Sequence, residues 1–140
     1  YMIEFLGRTK ASVVTNAVAH AQKLAAQGSR VFLVGGELKS STEAVIGAQA
    51  MEMLERYHFT KGFFGTNGVT KKEGFTTPDA GEAQVKRTAM RQCWKCYVLA
   101  DSAKFGYVSA VTFASFESGV ILTEKIVEGY QEGDRLIRCE

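Results

Sequence analysis

The feature that most constrains this chain is a repeated switch in apolar period. Short β-branched runs alternate along the sequence with segments of helical spacing. Ser12-Val13-Val14 reads as a strand, and Ala17 to Gln27 as an alanine-rich helix closed by Gly28. Val31-Phe32-Leu33-Val34 is a second strand, and Ala44 to Tyr57 carries Val45, Ala48, Met51 and Leu54 at one-face spacing. Phe59 to Phe64 is a third strand, followed by a long loop to Pro78 and a helix from Asp79 to Gln92. Cys96 to Ala100 and Val120-Ile121-Leu122 are further strands, then a short helix near Ile126 to Tyr130 and a last strand around Leu136-Ile137. Strands apolar on both faces and alternating with helices predict an α/β fold with a mostly parallel open sheet flanked by helices.

Such a sheet directs where to look for a site, because ligands bind outside the carboxyl ends of parallel strands. Polar and glycine-rich clusters fall at those ends. Thr15-Asn16 follows the first strand, Gly35-Gly36 the second, and Gly65-Thr66-Asn67-Gly68 the third. Asp101-Ser102-Ala103-Lys104 follows the fourth, and Thr123-Glu124-Lys125 the fifth. Fourteen glycines against one proline fit a chain that turns tightly or approaches a ligand closely.

Each cluster has a structural and a functional reading. Gly65 to Gly68 suits either an Asn-Gly turn or a backbone nest for an anion. Asp79-Ala80-Gly81-Glu82 fits a capping box, and Glu82 with Lys86 fits an i,i+4 surface ion pair. The same two side chains, in the first turns of a helix facing the strand ends, also suit a sugar hydroxyl and a phosphate. Lys104 on a tight loop past a buried strand supplies a point charge for phosphate. Cys93-Trp94-Lys95-Cys96 has redox spacing, but its placement at a helix C-terminus raises thiol pKa, so both cysteines read as structural. Neither they nor His20 and His58 have ligand-spaced partners, and no nucleotide fingerprint occurs, so no metal and no cofactor is expected.

Composition narrows the class. At 140 residues with 46% apolar content, the chain is expected to be one domain, residues 1–140. A net charge of +2 is too small to argue for nucleic-acid binding by electrostatics. No apolar run approaches the ~20 residues of a membrane span, and no signal-peptide pattern opens the chain. Three cysteines make no disulfide framework, which points to a cytoplasmic setting. The apolar opening Tyr1-Met2-Ile3-Glu4-Phe5-Leu6 reads as a piece of a longer protein, with Tyr1 as a possible tag scar.

Taken in order, these clusters resemble the C-terminal sensor domain of DeoR-type bacterial transcription repressors. The resemblance rests on Val13 to Asn16, Leu33 to Leu38, Gly65 to Val69, Gly74-Phe75-Thr76, Glu82 to Lys86 and Val98 to Gly106. The Ala-Asp-Ser-x-Lys-Phe-Gly stretch is particularly characteristic. The resemblance implies a fold related to ribose-5-phosphate isomerase, a phosphorylated sugar as effector, a homo-oligomer, and DNA contact only through an N-terminal winged helix outside this chain. It places the effector against Thr15, Asn16, Gly35, Gly36, Gly65, Asn67, Gly68, Glu82, Lys86, Asp101 and Lys104. It also implies a first strand and an Asp-x-Gly-Thr-Thr phosphate loop before the Met2–Leu6 segment, which would make this an N-terminally truncated domain. Thr60-Lys61-Gly62-Phe63 lacks the acidic residue usual there. The expected function is therefore effector binding without catalysis, with no catalytic residue. The alternative is a sugar-phosphate isomerase-like enzyme with Glu82 as base.

Overall fold

The computed structural model describes residues 2–133 and 135–139. They divide into two compact units, Tyr1–Arg56 and Tyr57–Glu140. The first unit opens with α1 (Met2–Leu6), β1 (Val13–Thr15), α2 (Val18–Ala26) and β2 (Val31–Leu33). The β1 and β2 strands pair in parallel, Val13 opposite Val31 and Thr15 opposite Leu33, with α2 as the crossover. Alanines and lysine favour that helix, and Ala21 and Leu24 bury its inner face. It ends in a Schellman motif: Gly28 at φ +86° donates to the Ala25 carbonyl, and Ser29 to that of Leu24.

The expected helix from Ala44 to Tyr57 is shorter. Ala44–Ile46 is a strand, β4, paired antiparallel with β3 (Glu37–Lys39), and only Ala48–Leu54 forms α3. β-branched Val45 and Ile46 take the extended conformation, and Gly47 at φ +98° separates strand from helix. The second glycine of Gly35-Gly36 is required by this packing. A Cβ on Gly36, itself at φ +150°, would lie 2.8 Å from the Ile46 carbonyl oxygen.

The second unit contains β5 (Phe59–Gly65), β6 (Gly68–Thr70), β7 (Gly74–Thr77), α4 (Ala80–Arg91) and β8 (Cys93–Leu99). It continues through β9 (Val111–Ala114), β10 (Val120–Thr123) and β11 (Leu136–Arg138). The strands order as β11-β10-β8-β5, with every neighbouring pair parallel. The expected α/β architecture is borne out in this sheet. Its register sets Phe64, Val98, Ile121 and Leu136 in one row, and the last three are almost completely buried. Ala83 and Met90 of α4 join them in the core.

Three local expectations fail here. The long loop to Pro78 contains a hairpin, β6 and β7, which β9 extends to a three-stranded antiparallel sheet. Its turn is closed by a Thr70 hydroxyl donating to Glu73 and by Gly74 at φ +78°. Residues 126–130 form a turn rather than a helix, with Gly129 at φ +89°. The strand expected from Cys96 begins earlier, at Cys93, so Cys93 and Cys96 both lie in β8 rather than at the end of the helix. Their thiols nevertheless donate to the Ala89 and Met90 carbonyls of the last helical turn, at 3.2 and 3.5 Å. The Cys93 thiol is pushed up in pKa, first by its hydrogen bond with Cys96 and then by burial.

The start of α4 shows the N-cap half of the expected capping box. An Asp79 carboxylate oxygen accepts the Glu82 N–H at 2.9 Å, satisfying a donor that the helix leaves open. Asp79→Ala should therefore lower unfolding free energy by about 1 kcal/mol in urea titration, and Asp79→Asn by only a few tenths. Equal losses in both variants would show that charge, not capping geometry, matters there.

Candidate functional site

Parallel pairing points the carboxyl ends of β5, β8 and β10 to one edge of the second unit's sheet. After β8, Asp101 begins a tight 3-10 turn, Ser102–Lys104. Its carboxylate accepts the Ala103 N–H at 3.0 Å, and its carbonyl accepts the Lys104 N–H at 3.0 Å. Past the turn, Gly106 at φ +82° donates to the Val69 carbonyl of β6 at 2.8 Å. The chain then runs back along β7, where the Ser109 N–H reaches the Thr76 hydroxyl at 2.9 Å. A Cβ on Gly68 would collide with the Tyr107 carbonyl and the Thr76 hydroxyl, so only glycine permits this approach.

These contacts shape an open cavity of about 320 Å³, lined by Asn67, Pro78, Ala103, Lys104, Tyr107 and Ser109. The Lys104 ammonium has no hydrogen-bond or ion-pair partner among the described residues. Of the expected residues, the cavity brings together Asn67 and Lys104. Asn67 is held by its N–H on the Thr76 carbonyl, 3.0 Å, and by the Thr77 hydroxyl on its Oδ1, 3.3 Å. No residue from Gly65 to Gly68 has positive φ, and the Asn67 N–H is engaged, so this turn is not the anion nest that it resembles in sequence.

Other expected residues have defined structural partners. Lys86 donates to the Gly65 carbonyl at 2.7 Å and lies 4.9 Å from the centroid of the Phe113 ring. Burial lowers its pKa, and the Glu82 charge partly opposes that shift. Asp101 caps its own turn and is not among the cavity's lining residues. In the first unit, the Thr15 hydroxyl accepts the Ala17 N–H, and the Asn16 amide donates to the Val45 carbonyl at 3.1 Å. Gly35 is exposed beside the more constrained Gly36.

Sequence reasoning missed Tyr107 and Ser109, which carry the cavity's two side-chain hydroxyls. It placed Glu124 in a polar cluster without a partner. In the structure, Glu124 accepts the Ser102 hydroxyl at 2.6 Å, and both its oxygens stand 3.0 Å from the Ser102 N–H. Those bonds, side chain first and then backbone, hold its pKa down to about 2. Among the described residues, no group of three or more His, Cys, Asp or Glu is placed to hold a metal ion.

A lysine cation beside an amide and two hydroxyls suits an anionic, hydroxyl-rich small molecule. None of the six lining residues is a carboxylate, and proton abstraction from a sugar requires a base within reach of the reacting carbon. Together, fold and cavity define an α/β domain with an open, lysine-bearing cavity at the strand ends. The family model for the DeoR C terminal sensor domain matches residues 1–124. The chain is 42% identical over 137 residues to a Bacillus subtilis protein named as an uncharacterized HTH-type transcriptional regulator, FruR, covering 94% of this chain and 55% of that one. It is 35% identical over 138 residues to the lactose phosphotransferase system repressor of Streptococcus mutans, covering 96% and 53%. To the HTH-type transcriptional regulator GlpR of Haloferax volcanii it is 38% identical over 104 residues, covering 74% and 41%. The chain spans about half the length of the curated relatives it matches. It belongs to the DeoR C-terminal sensor domain family.

The sign of the Glu124 shift fixes a pH dependence. A carboxylate lowered from 4.5 to about 2 on folding contributes stability above pH 4.5 and loses it as pH falls through about 2. The gap in thermal midpoint between wild type and Glu124→Gln should be flat from about pH 8 to 5 and close as pH falls toward 2. A gap unchanged across the acid range would contradict the Ser102–Glu124 contact.

Proposed function

We propose that the cavity beside Lys104 binds the phosphoryl group of a phosphorylated sugar, the effector of a DNA-binding repressor. The observation that carries this reading is the Lys104 ammonium, free of protein partners among the described residues and set beside Asn67, Tyr107 and Ser109. The relatives support the class of ligand. One is named as a lactose phosphotransferase system repressor. Asn67, Ser109 and Tyr107 would meet sugar hydroxyls, while Gly65, Gly68, Glu82, Lys86 and Asp101 would brace the strand-end loops. Thr15, Asn16, Gly35 and Gly36 of the first unit are proposed as effector-binding residues in their own right.

The isomerase alternative gains nothing from the cavity, whose lining offers no carboxylate base, and the relatives are named as regulators. No described helix is long and apolar enough to cross a membrane. The remaining proposals are a cytoplasmic protein, a homo-oligomer that pairs half-site readers, and DNA contact through a separate N-terminal domain.

Charge-assisted hydrogen bonds contribute roughly 1.5–3 kcal/mol each, so the phosphoryl group should dominate affinity. A sugar phosphate should raise the unfolding temperature where the free sugar does not. Lys104→Ala should weaken its binding at least tenfold, about 1.4 kcal/mol, in calorimetric titration. Equal responses to sugar and sugar phosphate would overturn the assignment.

A further inference from the structure

A lysine on a surface loop discriminates ligands only when its backbone is held, because ordering a long side chain and its loop opposes binding. The Lys104 turn is capped locally by Asp101 and anchored to the sheet at its start by Glu124. Both Glu124 oxygens lie 3.0 Å from the Ser102 N–H, and one takes the Ser102 hydroxyl at 2.6 Å. The Thr123 hydroxyl in turn donates to Glu124 at 3.1 Å. Thr123 is buried, ends β10, and pairs with Arg138 of β11. The carboxylate therefore ties the start of the Lys104 turn to the interior of the parallel sheet.

The far side of the turn is held independently. Gly106 bonds to Val69, and the Phe105 ring meets Tyr130 edge-on with centroids 4.8 Å apart. Lys71 reaches the Gly129 carbonyl at 2.6 Å and sits 5.0 Å from the centroid of the Tyr130 ring, fixing that ring from behind. Lys104 thus lies between an aromatic clasp and a carboxylate clamp; Asp101 caps the 3-10 turn from within its own loop, and Glu124 of the neighbouring strand end ties that turn to the sheet.

We propose that Glu124 is a positioning residue for Lys104: by holding both donors of Ser102, it sets the lysine at the cavity wall and raises affinity for the phosphoryl group without touching the ligand. This rests on the function proposed above. A carboxylate near an anion site would by itself repel the anion. Here it is compensated by three donor groups, Ser102 N–H, Ser102 hydroxyl and Thr123 hydroxyl.

The test is calorimetric titration of the full 140-residue chain with ribose 5-phosphate, glucose 6-phosphate and fructose 1-phosphate, taking the tightest as probe. Glu124→Ala should weaken binding by about fivefold or more, and Glu124→Gln, which retains an acceptor oxygen at the same reach, should fall between it and wild type. In a Lys104→Ala background, Glu124→Ala should cause no further loss, since its effect passes through the lysine. Unfolding midpoints measured on each variant separate loss of fold from loss of position, and the Gln variant carries the comparison should the Ala variant unfold. Unchanged or tighter binding by Glu124→Ala overturns the positioning role while leaving the proposed function standing. So does a full additive loss on top of Lys104→Ala. If wild type binds none of the three probes, the functional reading itself falls, and the positioning role falls with it.

Discussion

Parallel pairing of β5, β8, β10 and β11 is the constraint on which the site depends. It brings the loops after β5, β8 and β10 to a common edge, although their residues are far apart in sequence. Asn67 follows β5, Lys104 follows β8 and Glu124 follows β10. A shift of one residue in any pairing would turn Val98 or Ile121 out of the core, so burial locks the register that aligns these loops. The cavity is thus held in place by apolar packing of residues outside its lining.

The antiparallel sheet of β6, β7 and β9 has a different role. It braces the loop that lines the cavity, through Val69 accepting from Gly106 and Thr76 accepting from Ser109. Thr76 and Thr77 are both almost completely buried, so their hydroxyls act within the fold: one takes the Ser109 N–H, and the other steadies Asn67. Arg87 of α4 reaches the Thr112 carbonyl of β9 at 2.8 Å, fastening this sheet to the helix that also carries Lys86. Bracing of this kind would preorganise the proposed site and lower the ordering cost of binding.

Much of this was legible in the sequence, for reasons particular residues make plain. Val98 and Ile121 sit in apolar runs because the strands are buried on both faces, and Asp79 announces its helix through a local cap. The hairpin at residues 68–77 was not legible. Its strands are short and rich in glycine and threonine, and β7 is completed by β9, with Phe75 opposite Ala114. Val45 and Ala48 stand at helical spacing by coincidence, one in a strand and the other in a helix. Lys104 was readable from its place after a strand. Tyr107 and Ser109 were not, because β7, more than thirty residues upstream, sets their positions. Glu124 likewise needed Ser102, twenty-two residues away, to show its role.

The central claim is that a phosphorylated sugar occupies the Lys104 cavity. Amide chemical-shift mapping of the isotopically labelled chain tests it most directly, titrating with the sugar phosphate and with the matching free sugar. The account predicts saturable shifts at Asn67, Ala103, Lys104, Tyr107 and Ser109 with the phosphate, and weak ones with the free sugar. His58 and Trp94, which border a separate, smaller cavity, should stay still. Shifts centred on His58 and Trp94, or identical patterns with both sugars, would contradict it.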